Sequence, residues 1–279
     1  MASELSDRYE KFSRSESLKQ EVHLTPLHSK SGGLVWLCLA PLFYSALSVS
    51  AKLAGSHLSV WQIGVGRFGL GLLLIPFIVK MLGLSLWGRQ RFLLTARGLC
   101  GAVAFLLLIA AFQRIPLSIA MVLFYLYPAI TAILSPWVTG EPTAKIAWPF
   151  ICGAFLGTSL ILWPFETSVA FNLGHLFAVC SSFLCALTLL LVRKLGRENN
   201  IYTLFFYLCL TGSIAGLGPL LMQELPILPV TAAARLALAA VAIFSIGAQL
   251  SINQALVRIP APKVSVIMTV EVPLVACFG

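Results

Sequence analysis

Long apolar runs separated by short polar stretches fill the sequence after an N-terminal polar segment, residues 1–31. A helix that crosses about 30 Å of hydrocarbon needs about 20 predominantly apolar residues. Nine runs satisfy this, at 33–54, 58–82, 92–113, 117–137, 145–163, 172–193, 202–222, 232–256 and 263–279. The pattern predicts an all-α integral membrane protein with about nine transmembrane helices.

Composition supports the same fold class. Hydrophobic residues make up 59% of the chain and charged residues 10%, against about 25% charged in soluble domains. The first apolar run is longer than the core of a signal peptide, so we expect an uncleaved first span behind a polar tail. A water-soluble domain is excluded because the chain lacks the polar surface it would need.

The net charge of +9 comes from basic residues in the short loops between apolar runs. Cytoplasmic loops of membrane proteins are enriched in Lys and Arg. With the N-terminus inside, fourteen basic residues face the cytosol and two lie outside, and the opposite orientation reverses these numbers. We therefore expect a multi-pass protein of the cell membrane with a cytosolic N-terminus. Because the charges do not cluster on one face, nucleic acid is not an expected partner.

Two halves of the chain resemble one another. Residues 33–55 match 174–196 at an offset of 141, and Arg114-Ile115-Pro116 reappears as Arg258-Ile259-Pro260 at an offset of 144. Five spans separate the copies, and an odd number inserts the second copy upside down. We predict a cytosolic tail at 1–31, a first repeat of helices 1–5 at 32–165 and a second repeat of helices 6–9 at 170–279. The tenth helix would then be missing, which predicts a C-terminal truncation.

Several short motifs resemble those of one known family: Ser50-Ala51-Lys52-Leu53, Arg67-Phe68, Arg97-Gly98, Ala111-Phe112-Gln113 with Arg114-Ile115-Pro116, Tyr127-Pro128, Gly140-Glu141 and Glu271-Val272-Pro273. On these residues the chain resembles the EamA-type, ten-helix branch of the drug/metabolite transporter superfamily. The resemblance implies two inverted five-helix repeats and export or exchange of a small organic metabolite or drug by alternating access. It does not identify the substrate, and the absent tenth helix departs from the family pattern.

Two ionisable residues inside predicted spans are the sharpest functional candidates, because a charge in a bilayer usually faces a cavity or a partner. Arg67 shares a helix face with Gly64 and Gly71 and would bind an anionic group of a substrate. The alternative is that Arg67 forms a structural ion pair or extends its side chain to the membrane–water interface. Glu271 lies just before Pro273, which breaks the span locally. Glu271 would bind a proton reversibly and so couple transport to proton movement, or it would form an ion pair.

Polar side chains also suggest a solute path. On the eighth span, Ser245, Gln249 and Asn253 recur at four-residue spacing, so they form one polar stripe. Tyr125 and Tyr127 flank the break expected at Pro128, and a broken helix near the membrane centre favours a substrate site. We take Tyr125, Tyr127, Gln249 and Asn253 as candidate substrate-binding residues. The alternative for each is a hydrogen bond between neighbouring helices.

Other chemistries have weaker support. The seven cysteines and four histidines show no metal-ligand spacing, so neither a metal nor a cofactor is expected. No nucleophile with a base and no carboxylate pair stands at a usable spacing, so an intramembrane enzyme is disfavoured. A channel or a non-transporting scaffold remains the main alternative to a carrier. The expected partners are a small-molecule solute and the lipid bilayer, and a homodimer is left open.

Overall fold

The computed structural model describes residues 30–141, 148–149, 152–153, 156, 172–223, 231–271 and 274. The predicted polar tail, apart from its last two residues, lies outside this set, as do most of the predicted fifth span, the end of the ninth and Pro273. All statements about structure below concern the described residues.

Nine helices run through the described residues. They are α1 Lys30–Gly55, α2 Val60–Met81, α3 Arg91–Phe112, α4 Leu117–Phe124, α5 Tyr127–Val138, α6 Leu173–Leu195, α7 Ile201–Met222, α8 Ala232–Arg258 and α9 Ala261–Met268. By length and composition, seven segments can cross a membrane, with α4 and α5 together forming one of them. These seven segments coincide with seven of the predicted runs to within a few residues. The predicted all-α membrane fold is confirmed.

Short polar residues fix where several helices begin. Ser59 and Gln62 form a reciprocal capping box at the start of α2, with the Ser59 hydroxyl accepting from the Gln62 amide and the Gln62 side chain accepting from the Ser59 amide. The Asn172 side chain caps α6, and the Asn200 side chain accepts from the Thr203 amide at the start of α7. Such caps satisfy amides that have no partner within the helix. These caps place the first residue of each helix close to the first residue of the corresponding apolar run.

The fourth predicted span is two helices rather than one. Pro128 has no amide hydrogen, so it cannot donate to the carbonyl of Phe124, and its ring crowds the preceding turn. The helix is interrupted one turn earlier, where α4 ends at Phe124 and α5 begins at Tyr127. The predicted break therefore exists, and it places the Tyr125 side chain at the junction of the two helices.

Helices from the two predicted repeats pack against each other along most of their length. Here α1 packs on α8, with Gly33 at its start beside Arg258 at the end of α8, α2 packs on α7, and α3 packs on both α6 and α7. The shorter α4 and α5 pack on α6, and α9 packs on α5. Because each of these packing pairs joins a helix of one predicted repeat to a helix of the other, the interface between the predicted repeats forms the centre of the fold.

Close helix contacts occur in pairs related by the sequence offsets. A side chain at Gly33 would meet the Cβ of Arg258 at 3.2 Å, and one at Gly174 would meet the Cβ of Arg114 at 2.9 Å. Gly33 corresponds to Gly174, and Arg114 corresponds to Arg258, so the same contact is made twice with the repeats exchanged. A second exchanged pair joins Gly71 to Cys209 and Gly212 to Phe68. This exchange is expected of inverted repeats related by a pseudo-two-fold axis.

Candidate functional site

A central cavity lies between the helices of the two predicted repeats. Water-sized spheres can occupy about 90 Å³ of it, which is less than the roughly 300–1,000 Å³ that is usual for small-molecule sites. Most of its walls are apolar. Its polar lining consists of Tyr44, Ser48, Arg67, Arg97, Thr188, Gln249 and Glu271. Because both predicted repeats contribute to these walls, a change in their relative position would change the shape of the cavity.

Arg67, on α2, projects into this cavity and is only 5% exposed. Its guanidinium carbon lies 3.8 Å from the centre of the Phe105 ring, a cation–π contact. Its Nε has no hydrogen-bond partner, and none of the described carboxylates lies within 4.0 Å of its nitrogens. An ion pair, the structural alternative for Arg67, is therefore not formed with any described carboxylate.

Arg97, on α3, is a second cation of the cavity and is fully buried. Its Nη1 donates to the Leu204 carbonyl at 3.0 Å, and its Nη2 donates to Asn253 Oδ1 at 3.5 Å. The sequence interpretation placed Arg97 near the start of a span and did not select it for the site. The Arg97-Gly98 motif was the available signal, but the apolar run alone could not show which way the side chain points.

Glu271 contributes the carboxylate of the cavity and is 3% exposed. The Ser48 hydroxyl donates to Oε1 at 2.9 Å, and the Tyr125 hydroxyl donates to Oε2 at 2.7 Å. Tyr125 also lies within 3.1 Å of the Met268 carbonyl, so its hydroxyl is held between two acceptors. Among the described residues the partners of Glu271 are hydroxyl groups rather than a basic side chain. The structure thus brings two of the predicted residues, Tyr125 and Glu271, into direct contact.

Two residues of the predicted polar stripe on α8, Gln249 and Asn253, belong to a hydrogen-bonded chain, whereas the Ser245 hydroxyl is buried without a hydrogen-bond partner among the described residues. The Tyr44 hydroxyl donates to Gln249 Oε1 at 3.5 Å, and Gln249 Nε2 donates to Asn253 Oδ1 at 3.1 Å. Asn253 Nδ2 donates to the Ile201 carbonyl at 3.4 Å. Gln249 lines the cavity, whereas Asn253 lies behind it and supports Gln249 and Arg97. One stripe on the helix therefore supplies both a lining residue and its support.

Tyr127 has a different position from Tyr125. Its ring centre lies 5.4 Å from that of Tyr125 and 5.2 Å from that of Phe124, and it is not among the residues that line the cavity. Its hydroxyl makes no hydrogen bond with the described residues. Tyr127 therefore packs behind the residues at the break and reaches the cavity only through them.

A charged cluster joins the helices at one end of the bundle. Arg193 Nη2 lies 2.8 Å from Glu141 Oε1, and Arg197 Nη2 lies 2.9 Å from the same oxygen. Arg193 Nη1 also donates to the carbonyls of Leu256 and Val257, at 3.0 and 2.7 Å. This Glu141 cluster ties together the ends of α5, α6 and α8. The sequence interpretation noted Gly140-Glu141 only as a motif, because the partners lie more than fifty residues away.

A simpler contact occupies the related position at the opposite end. Lys52 Nζ donates to the Phe112 carbonyl at 2.6 Å. Lys52 corresponds to Arg193 at the offset of 141, and Phe112 corresponds to Leu256 at the offset of 144. Each predicted repeat thus places a basic residue of its first helix on the carbonyl end of its third helix. Among the described residues only the Arg193 end adds a carboxylate.

Comparison with known proteins connects this architecture to a family. A model of the EamA-like transporter family matches residues 31–163 and 172–279. The pseudopaline exporter CntI of Pseudomonas aeruginosa is 23% identical over 192 residues, which cover 69% of this chain and 67% of the exporter. Solute carrier family 35 member G1 of Homo sapiens is 28% identical over 196 residues, covering 66% of this chain and 53% of the carrier.

Two further relatives extend the comparison. The S-adenosylmethionine uptake transporter of Rickettsia prowazekii is 22% identical over 192 residues, covering 68% of this chain and 64% of the transporter. The matched stretches thus span between about half and two thirds of these three relatives. A protein of known crystal structure shares the fold, with a TM-score of 0.76 and 18% identity over 90% of this chain and 88% of that one. Because the family model covers most of the sequence, the chain belongs to the EamA-like transporter family.

Proposed function

We propose that this multi-pass membrane protein is a secondary transporter that carries a small organic solute across the membrane by alternating access. The observation that supports this most directly is the placement of Arg67, Arg97 and Glu271 in one cavity between the repeats. Ionisable groups in membrane-spanning segments are costly and mark solute or ion pathways. A binding site at the interface between inverted repeats opens to either side when one repeat moves against the other.

The relatives support a carrier over the alternatives. The three described above are named as an exporter, an uptake transporter and a solute carrier, and none is named as an enzyme, a channel or a scaffold. Their names differ in direction, so they do not choose between export and uptake for this chain. The apolar walls of the cavity suit an organic solute better than a hydrated inorganic ion.

The proposed topology follows from the loop charges. We place the N-terminus in the cytosol and the chain in the cell membrane, so the Glu141 cluster lies at the cytosolic end. The moving parts are the repeats at 32–165 and 170–279, and the two ranges matched by the family model support this division. Opening the cytosolic side then requires Glu141, from the first repeat, to separate from Arg193 and Arg197, from the second.

Individual residues receive proposed roles from their positions. Arg67 binds an anionic group of the solute, and Gln249 offers a polar contact on the opposite repeat. Tyr125 holds the Glu271 carboxylate, while Asn253 and Tyr127 support the lining from behind. Glu271 is also the candidate for proton coupling. Transport by both the wild type and Glu271→Gln with no dependence on pH would contradict that coupling role.

Counterflow in proteoliposomes tests the main proposal. Vesicles containing the protein are loaded with a mixture of organic metabolites, and uptake of each labelled metabolite is measured against its concentration. A carrier gives saturable uptake that is accelerated by solute on the other side. Uptake that stays linear with concentration would support a channel, and uptake equal to that of protein-free vesicles for the whole mixture would contradict a transport function.

A further inference from the structure

The loop between α2 and α3, residues 82–90, presents large apolar side chains at the surface of the protein. Helix α2 ends at Met81 and α3 begins at Arg91, so the loop lies where two predicted membrane spans leave the hydrocarbon. Trp side chains are enriched at this depth, because their rings are apolar but carry one polar N–H group. The exposed apolar side chains of the loop and its flanks are Met81, Leu82, Trp87 and Phe92.

Three basic residues border these apolar side chains: Lys80 in the last turn of α2, Arg89 in the loop and Arg91 at the start of α3. The guanidinium carbon of Arg91 lies 5.8 Å from the centre of the Trp87 ring, a cation–π contact that joins the two kinds of side chain. All three basic residues are exposed, and none lies within 4.0 Å of a described carboxylate. We call Lys80, Met81, Leu82, Trp87, Arg89, Arg91 and Phe92 together the loop face.

Hydrogen bonds from the second predicted repeat fix the shape of this loop. The Arg89 amide donates to Asn199 Oδ1 at 2.6 Å. The Ser85 carbonyl accepts two further hydrogen bonds, at 3.1 and 2.8 Å, from side chains at the start of α7. Asn199 follows α6, whose last turn carries Arg193. The loop face therefore lies at the same end of the bundle as the Glu141 cluster.

The backbone at Gln90 shows that the loop is held in place by its surroundings. Its φ is 57°, in the left-handed region that residues with a side chain rarely adopt. Such a conformation persists only where surrounding contacts stabilise it. The Gln90 side chain supplies one of these contacts, because its Nε2 donates to Glu198 Oε2 at 3.0 Å. A defined backbone therefore presents the apolar and basic groups of the loop face together.

An anionic phospholipid matches both components of the loop face. A soluble anion such as inorganic phosphate would pair with the basic residues and leave the apolar side chains in water. A lipid without net charge would cover the apolar side chains and give the basic residues no net counter-charge. In the orientation proposed above, the loop faces the cytosolic leaflet, whose anionic lipids attract Lys and Arg residues beside membrane spans.

We propose that the loop face is a binding site for anionic phospholipids of the cytosolic leaflet. Arg89 and Arg91 donate hydrogen bonds to the phosphate of the headgroup, as guanidinium groups do in other phosphate sites. Trp87 and Phe92 lie against the glycerol region and the first part of the acyl chains. The site lies outside the central cavity, so the inference uses the proposed membrane orientation but not the proposed transport function.

Matched lipids test the requirement for charge. The full chain in a non-ionic detergent is titrated with phosphatidylglycerol or with phosphatidylcholine of the same acyl chains, while its thermal unfolding is followed. Glycerol phosphate is the soluble probe with a similar anionic group and no acyl chain. We expect phosphatidylglycerol to raise the unfolding temperature saturably and to bind about tenfold or more tightly than phosphatidylcholine. Glycerol phosphate should give no shift over the same concentrations.

Variants locate the lipid on the loop face. The double variant Arg89→Gln with Arg91→Gln should weaken binding of phosphatidylglycerol about 25-fold, since each basic residue near the surface contributes about fivefold, and should leave phosphatidylcholine unchanged. Phe92→Gln should weaken both lipids, because it removes apolar contact without removing charge. Lys194→Gln removes a positive charge from an exposed position on α6, at the same end of the bundle but outside the loop face, and should bind phosphatidylglycerol as the wild type does.

Specific outcomes overturn the inference. It fails if phosphatidylcholine or glycerol phosphate stabilises the protein as strongly as phosphatidylglycerol, or if Lys194→Gln weakens binding as much as the double variant. If the double variant does not fold, Phe92→Gln still decides the location, because the Phe92 side chain is 84% exposed and its loss removes little packing. Unchanged lipid affinity in that variant would reject the site. The counterflow assay tests the transporter proposal separately, so either proposal can fail alone.

Discussion

Replacing Arg67 with methionine should stabilise the ligand-free protein and weaken solute binding. The guanidinium is buried in a predicted membrane span without a described carboxylate partner. Burying such a charge costs about 2.5–3.5 kcal/mol on insertion scales, and the cation–π contact with Phe105 returns about 0.5–2 kcal/mol. Methionine keeps a flexible apolar chain without the charge. The free energy of unfolding of the ligand-free protein should therefore rise by about 0.5–3 kcal/mol.

Solute binding should change in the opposite direction. A hydrogen bond between charged groups contributes about 1.5–3 kcal/mol, so its loss weakens affinity about 10- to 150-fold. Thermal unfolding in detergent, with and without a solute that the wild type transports in the counterflow assay, measures both effects in one experiment. Arg235→Met, at an exposed position, should change neither quantity. A destabilised Arg67→Met protein with unchanged affinity would refute the reasoning, because it would assign Arg67 a structural role.

Two further comparisons use matched pairs of residues. Tyr125→Phe removes a donor to the buried Glu271 carboxylate and should lower the free energy of unfolding by about 1.5–3 kcal/mol, whereas Tyr127→Phe should lower it by less than about 1 kcal/mol. Glu141→Gln removes the shared carboxylate of its cluster and should cost about 1–3 kcal/mol, whereas Arg197→Gln should cost less than about 1 kcal/mol because its side chain is 54% exposed. Thermal or denaturant unfolding of each variant measures these differences.

The contrary results are equally clear for these pairs. Equal effects of the two tyrosine substitutions would show that ring packing, rather than the hydrogen bond to Glu271, determines the contribution of Tyr125. A larger effect at Arg197 than at Glu141 would show that the cluster does not depend on the shared carboxylate. The first result would mean that the Tyr125–Glu271 hydrogen bond contributes little to stability, and the second would mean the same for the Glu141 carboxylate.

Local physical chemistry explains why much of the fold follows from the sequence. The run at 58–82 predicts a membrane span, and α2 occupies Val60–Met81 because apolar length matches hydrocarbon thickness and Ser59 caps the helix. The break near Pro128 is also local, because proline lacks an amide hydrogen wherever it stands. The break lies slightly before Pro128, since the disturbed hydrogen bond reaches back one turn.

The candidate site was only partly accessible to the same reasoning. Arg67 and Glu271 stand out as charges within apolar runs, and Gln249 lies on a recognisable stripe. Arg97 is also a charge within an apolar run, but it lies near the start of that run and was not selected, and Ser48 carries no comparable local signal of its role. Ser48 is one small polar residue on an apolar helix until the fold places it 2.9 Å from Glu271, which is 223 positions away in the chain.

The sequence by itself therefore determined the number and placement of most spans and the position of the helix break near Pro128, because each depends on residues within one or two turns. It also indicated the repeat, because corresponding positions keep similar residues. Only the tertiary structure decided which charges share the cavity, which hydroxyls hold Glu271 and which residues form the Glu141 cluster. These contacts join helices that are distant in sequence, and helix periodicity specifies the face of a residue but not the partner that the face meets.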